Sequence, residues 1–371
     1  MRIGFDAKRF FHNKTGLGNY SRDLIRILNH FYPQNTYLLY NPKKTNQYQQ
    51  LTSSDTIVER NPEGGWKKLK SLWRTFGVSS QLKADKIDIY HGLSGEIPLH
   101  IPQGVKKVVT IHDLIFVRYP HLYSFLDRKI YFQKFKKAAQ DADVVVAISK
   151  QTKRDIIDFL KIDSNKIQVI YQGCSDVFKK TYTSAELEKT RKKFSLPERF
   201  ILNVGTLEER KNALNIVKAI KEVNTSLVLV GKKTSYYQKI EEYIGNHQMQ
   251  DKVLCLSEVN MEELAMIYQM ADVFVYPSVF EGFGIPIIEA LYSKTPVITT
   301  GSGVFPEAGG KDSIYVNPQD VLELKNAICQ LIDNPKLRGV IAQKGFEFVQ
   351  RFNDDVIAQK YNLLYEKLLQ R

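Results

Sequence analysis

The sequence predicts an α/β protein built from two domains, each with a mostly parallel sheet. Three observations predict it. Short β-branched runs alternate with helical patterns from end to end. The pattern restarts after Tyr171-Gln172-Gly173-Cys174. At 371 residues, the chain is too long for one compact core.

Taken in order, Ile3–Asp6, Tyr37–Tyr40, Ile87–Tyr90, Lys107–Ile111, Val144–Ile148 and Gln168–Ile170 read as strands. Helical patterns lie between them, including Gly18–Asn29 and Ser124–Ala139. After the restart, a charged helix at Ser184–Phe194 leads into strands at Phe200–Val204, Leu227–Val230, Lys252–Leu256, Val273–Tyr276, Pro296–Thr299 and Ser313–Val316. Helices over 320–333 and 337–350 close that half. Asp354–Leu369 is an amphipathic helix with Ile357, Tyr361, Leu364 and Leu368 on one face. The expected domains are 1–172 and 173–354, with the linker near Gln172–Thr183.

Hydrophobic content of 43% and charged content of 25% are ordinary for a globular chain. No apolar run has membrane-spanning length. The first strand stands where a signal peptide would carry a long apolar core. Cys174, Cys255 and Cys329 are scattered, which fits a reducing cytoplasm with no disulfide framework and no zinc site. The formal charge of +13 is one-sided. Residues 1–175 hold 28 Lys/Arg and 15 Asp/Glu, so 28 − 15 = +13, and the remaining residues hold 25 of each sign. That field suits an anionic partner such as a membrane or a lipid phosphate, or it is a lysine-rich soluble surface. No RNA- or DNA-binding motif accompanies it, so no nucleic-acid partner is expected.

The most informative stretch runs from Val275 to Leu291. An apolar strand ends in Pro277-Ser278, a loop with Glu281, Gly282 and Gly284 follows, and a helix opens at Pro286 and carries Glu289. A helix start offers unpaired N–H groups and a positive dipole end, which suits a phosphate. Glu289 lies early in that helix, where side chains lean back toward the N-terminus. Anion donors beside two carboxylates suit a ligand both phosphorylated and rich in hydroxyls. An acid near a helix start can also serve the dipole alone. The segment resembles the Glu-x7-Glu signature of retaining glycosyltransferases of family 4, including its Gly-Phe-Gly-x-Pro core.

A second candidate is Asn203-Val204-Gly205-Thr206-Leu207-Glu208-Glu209-Arg210-Lys211-Asn212. A strand ends at Gly205, and Arg210 and Lys211 are read as opening a helix, where cations oppose the dipole and call for an anion. The stretch resembles the family's Gly-Thr-x-Glu-x-Arg-Lys-Asn element, which implies that Arg210 and Lys211 neutralise the leaving diphosphate. A third is Thr15-Gly16-Leu17-Gly18-Asn19-Tyr20. Gly16, Leu17 and Gly18 are expected in a loop where glycine lets backbone approach a ligand. This stretch resembles the family's N-terminal glycine loop. The fourth, Val108–Leu114, delivers His112 at a strand's carboxyl end. It resembles the family's His-Asp motif, whose histidine lies beside the transferred sugar; Asp113 orients the loop or His112. His91 and Ser94, at another strand-to-loop junction, line the acceptor side or are simply packed.

Trp66–Phe76 contains both tryptophans. Read as a helix, it places Trp66, Leu69, Trp73 and Phe76 on one face among lysines. That pattern fits an interfacial membrane helix or an ordinary core-facing one. Asp141-Ala142-Asp143 has the Asp-x-Asp pattern of a metal site, but its place at a strand entry argues for a structural role.

The resemblance spans roughly residues 3 to 320 and implies the GT-B fold, two Rossmann-like domains facing a cleft. It further implies transfer of a hexose from a nucleotide-diphosphate sugar to a glycan or lipid-linked saccharide, with retention of configuration; metal independence is expected because no other acidic or His/Cys cluster has ligand spacing. GDP-mannose is the favoured donor, and no cofactor is expected. Catalytic roles fall to His112, Arg210, Lys211 and Glu281. The donor would be held by Gly16, Leu17, Gly18, Gly205, Thr206, Phe283, Gly284, Ile285 and Glu289. The final helix, 355–371, is expected to pack back on the N-terminal domain. The scattered cysteines and the one-sided charge lead to an expected location in the cytoplasm, peripheral at the inner membrane face. The rival readings are a GT-B nucleotide-sugar epimerase and a non-enzymatic polyanion binder.

Overall fold

The structure, a computed structural model, describes residues 1–52 and 54–370. The chain divides into two compact units, one formed by Met1–Gly173 with Phe352–Arg371, the other by Cys174–Arg351.

Unit 1 carries a seven-stranded sheet in the order β3-β2-β1-β4-β5-β6-β7, every pair parallel. The strands are β1 (Arg2–Asp6), β2 (Thr36–Tyr40), β3 (Ile57–Arg60), β4 (Ile89–Gly92), β5 (Lys106–Ile111), β6 (Val144–Ala147) and β7 (Ile167–Val169). Unit 2 carries a six-stranded sheet in the order β10-β9-β8-β11-β12-β13, also parallel throughout. Its strands are β8 (Phe200–Val204), β9 (Ser226–Val230), β10 (Val253–Leu256), β11 (Val273–Tyr276), β12 (Val297–Thr300) and β13 (Ile314–Val316). Strands such as Phe200–Val204 and Val273–Tyr276 are buried along their whole length. This is why they read as continuous apolar runs rather than alternating ones. In both sheets the order reverses between the first and fourth strands, and open α/β sheets hold ligands at the carboxyl ends beside that switch point.

The structure corrects several readings of unit 1. Strand β3 was not foreseen, because Ile57-Val58 runs straight into Glu59-Arg60 at a sheet edge, where polar residues are tolerated. Strand β4 starts two residues later than expected. The Ile87 N–H still bonds Leu82 O at the preceding helix, and Asp88 accepts the Arg2 N–H. Trp66–Phe76 is no single helix. It breaks into a 3-10 turn (Gly64–Lys67), one helical turn (Lys70–Leu72) and a wider π turn (Trp73–Gly77). Trp73 lies in the core with Leu38, Tyr40 and Leu82, whereas Leu69, Leu72 and Phe76 remain exposed.

The last helix, Asp354–Leu369, belongs to unit 1 and packs on the helix Gly16–Phe31. Its apolar face buries Ile357, Tyr361, Leu364 and Leu368. Asp354 pairs with Arg26 at 2.7 Å. Tyr361 meets the Tyr20 hydroxyl at 2.6 Å, and the Tyr365 hydroxyl meets His91 Nδ1 at 2.8 Å.

Candidate active site

The switch point of unit 2 gathers the loops that follow β8 and β11. The first leaves the sheet at Gly205, whose φ of +143° favours glycine. Close packing adds a second constraint: a Cβ on Gly231 would stand 1.9 Å from Gly205 O. Replacing Gly231 by Ala should therefore cost about 1–3 kcal/mol through overpacking, read as a lower urea midpoint at unchanged slope. An unchanged midpoint would show that this loop gives way freely.

Arg210 and Lys211 do not open a helix. They sit in a 3-10 turn, Glu209–Lys211, and the helix Ala213–Ala219 begins only after Asn212. Asn212 adopts left-handed φ 60° and anchors the turn through Nδ2, which donates to Pro318 O at 2.5 Å. This conformation ends the turn and keeps the two cations ahead of the helix. The β11 loop is stitched to this turn, because the Val279 N–H donates to Arg210 O at 2.9 Å.

The stitching brings Glu281 onto the cation pair. Its Oε1 takes Arg210 Nη1 at 2.8 Å, Tyr276 Oη at 2.8 Å, Ser278 Oγ at 2.9 Å and Lys211 Nζ. Lys211 also donates to Tyr276 Oη, and Arg210 reaches Glu208 at 2.6 Å and Phe280 O. Burial alone would push the Glu281 carboxyl up, but Lys211 and Arg210 outweigh it and hold it at about 2. All these donors converge on Oε1, and none of them engages Oε2. A second oxygen left in this way can accept a ligand hydroxyl.

Gly284 adopts φ +105° at the head of the helix Ile285–Tyr292, and its carbonyl accepts the Ile287 N–H at 2.9 Å. Phe283 and Gly284 are buried, and Ile285 is half-buried at the first helical position, whose N–H has no intrahelical acceptor. Glu289 follows one turn on, 9% exposed, with the Tyr268 hydroxyl donating to Oε2 at 3.1 Å. Here burial wins. It raises the carboxyl to about 7 against the opposing hydrogen bond from Tyr268. The two acids of the motif thus differ in protonation near neutral pH.

Unit 1 holds the remaining candidates. Gly16, Leu17 and Gly18 are not in a loop; they form the first turn of the helix Gly16–Phe31. A Cβ at Gly18 would lie 1.8 Å from Asn13 O, so close backbone packing by itself requires glycine here. Gly16 faces open space. His112, just past β5, donates from Nε2 to Leu93 O at 2.9 Å and meets the Tyr20 ring edge-on at 4.5 Å. Because a carbonyl can only accept, Nε2 carries the proton and Nδ1 is left as an acceptor. Burial lowers the ring to about 4, so it is neutral at physiological pH. Asp113 caps the following turn through the Ile115 N–H at 3.1 Å.

His91 is fully buried between Tyr365 and Thr110, which makes it a core histidine. Asp143 Oδ2 accepts the Lys107 N–H at 2.7 Å, and Asp141 pairs with Lys137 at 2.9 Å, so both acids have structural partners. Tyr276, Ser278 and Tyr268 were missed in the sequence. The first two had a legible signal, hydroxyls at the carboxyl end of a strand just before Glu281. Tyr268 had none, because it reaches Glu289 from a different helix.

Two family models match the chain: Glycosyltransferase Family 4 over residues 16–176 and Glycosyl transferases group 1 over 185–348. The O-antigen chain mannosyltransferase RfbU of Salmonella typhimurium is 31% identical over 266 residues, 70% of this chain and 71% of the relative. O-antigen chain mannosyltransferase B of Escherichia coli is 24% identical across 95% of this chain and 96% of its own. Among solved structures, Anabaena HepE in complex with UDP-glucose matches with a TM-score of 0.77 at 17% identity, covering 99% of this chain and 100% of that one. That likeness carries the GT-B fold. With RfbU matched at that identity and extent, and each family model lying over one unit, the chain belongs to glycosyltransferase family 4 and is a glycosyltransferase.

Proposed function

We propose that this enzyme moves a mannosyl residue from GDP-mannose to a hydroxyl of a glycan or lipid-linked saccharide, with retention and without a metal ion. It would act in the cytoplasm, peripherally at the inner membrane face. One observation carries the reading: the paired loops of unit 2 hold Arg210, Lys211 and Glu281 in one ion-paired cluster. That cluster stands just ahead of a helix start that can receive phosphate oxygens. Mannose is supported by the names of the two O-antigen relatives.

In the proposed reaction, Arg210 and Lys211 turn toward the β-phosphate as the bond from C1 to the phosphate oxygen breaks. The acceptor oxygen bonds C1 on the face that the phosphate leaves, and its proton passes to the departing diphosphate. Glu281 accepts a sugar hydroxyl and Glu289 the ribose hydroxyls, while on unit 1 the Nδ1 of neutral His112 is an acceptor for a substrate hydroxyl. Gly205 and Thr206 line the phosphate path, with Phe283, Gly284 and Ile285 offering amides.

Thermal-shift titration with GDP-mannose, UDP-glucose and the free diphosphates tests the donor. A ligand at a hundred times its Kd stabilises the fold by about 2.7 kcal/mol. NMR of the product reads the anomeric configuration. Stabilisation by UDP-glucose alone would replace the assigned donor, and an inverted product would remove the same-face mechanism. Activity should survive EDTA. Loss on chelation, restored by Mg²⁺ or Mn²⁺, would require a metal that this reading leaves out.

A further inference from the structure

The helix Phe125–Asp141 of unit 1 is apolar on two sides. Its inner side buries Ala138 and Ala139 and packs Phe132 and Phe135 on the unit 1 core. Its outer side leaves Leu126 70%, Phe125 59% and Ile130 50% exposed. Neighbouring exposed apolar side chains of this size on one helix face are the kind of patch that marks an interaction surface.

Charge indicates which one. The helix carries Arg128, Lys129, Lys134, Lys136 and Lys137 against Asp127 and Asp141. Asp127 is engaged in capping at Ser124, and Asp141 with Lys137. Beside the exposed residues lies a pocket of ≈ 260 Å³ walled by Phe116, Pro120, Phe125 and Phe132, with Arg128 and Lys129 on its lining. The buried Arg128 Nε has no hydrogen-bond partner there. The segment Trp66–Phe76, with Leu69, Leu72 and Phe76 exposed, is a neighbour of the helix, because Glu96 binds both Arg74 of that segment and Lys134 of the helix. Lys67, Lys68 and Lys70 extend the basic rim. Residues 352–371 add three charges of each sign, so unit 1 as a whole keeps the +13.

We infer that the outer face of the helix Phe125–Asp141 is the docking surface for an anionic lipid bilayer. Phe125, Leu126 and Ile130 enter the boundary between headgroups and acyl chains, and the surrounding lysines contact the phosphates. This deepens the proposed peripheral attachment and rests on it. It relocates the contact from Trp66–Phe76, whose Trp73 is core, to a helix whose outer apolar residues are uncovered. The match is one of chemistry: an interfacial helix pairs a shallow apolar insertion with a cationic border.

The test uses the full chain, with vesicles of phosphatidylcholine alone and of phosphatidylcholine with phosphatidylglycerol. The wild type should sediment with the anionic vesicles only, and less as salt rises. Leu126→Ser with Ile130→Ser should lower the partition coefficient by on the order of tenfold or more. Lys129→Ser and Lys136→Ser should each lower it about fivefold. Thermal stabilisation by the donor nucleotide should be the same in all variants, because its proposed residues lie elsewhere. Failure of donor binding in the wild type would strike the proposed function and leave the vesicle result standing. Equal binding to neutral vesicles, no binding to either, or variants that bind like the wild type would overturn the inference. So would sedimentation velocity showing a wild-type dimer that the Leu126→Ser/Ile130→Ser variant dissolves, since a second copy would then cover this face.

Discussion

Lys211→Ala is expected to lower turnover by on the order of 100-fold or more, the usual cost of removing a preorganised charge stabiliser. The structure adds a second consequence. Lys211 is bound to Glu281, and the two side chains are 12% and 14% exposed, so the substitution leaves a largely buried carboxylate with one cation fewer. Arg210 stays in place at 2.8 Å, which limits the loss of stability to about 1–3 kcal/mol.

The two effects separate in the double variant Lys211→Ala/Glu281→Gln. Removing the orphaned charge should return much of the denaturation midpoint while turnover stays low. A singly substituted enzyme that folds normally and turns over at the wild-type rate would take Lys211 out of the mechanism. Protonation does not complicate the comparison. Glu281 is held at about 2, below its unfolded value, so its ion pairs contribute stability at neutral pH. That contribution is lost only as pH falls from the ordinary carboxylate range toward 2.

The second large effect belongs to Glu289 and reverses this sign. Its carboxyl is raised to about 7 by burial, so the folded protein binds this proton more tightly than the unfolded chain does. Stability from this group is full below the unfolded value and is lost as pH rises to about 7. Ribose hydroxyls donate to a carboxylate, so nucleotide binding should favour the ionised form. From pH 6 to pH 8 the ionised fraction rises roughly tenfold, and the nucleotide affinity should rise by about the same factor.

Glu289→Gln should abolish that pH dependence and weaken binding at pH 8 by roughly 10- to 100-fold, the value of charge-assisted hydrogen bonds. The same variant without ligand should be more stable than the wild type at pH 8, by on the order of 2–3 kcal/mol. Greater stability with poorer binding is not the signature of a merely structural acid. Isothermal titration across that range would dismiss the ribose role if the wild-type affinity were flat with pH.

The amino-acid sequence by itself determined the alternation of strands and helices, and with it the parallel sheets. Both depend on neighbours within a few positions: a strand such as Phe200–Val204 is apolar throughout, and a helix such as Asp354–Leu369 repeats its apolar face every turn. The acids Glu281 and Glu289, the adjacent cations and the strand end before His112 were legible for the same reason, since their spacing along the chain is fixed by local geometry. Where local signals competed, they misled. Gly16 and Gly18 read as a loop yet begin a helix, because Asn13 caps it and leaves room only for hydrogen at position 18.

Tertiary structure alone decided the chemistry of the two acids. Lys211 and Glu281 are 70 positions apart, and Tyr268 and Glu289 are 21 apart on separate helices. It also decided that Trp73 is core and that Leu126 and Ile130 are not. A carboxylate's charge state depends on the water it has lost and the cations brought to it. Both are set by packing across the sheet, which no pattern along the chain records.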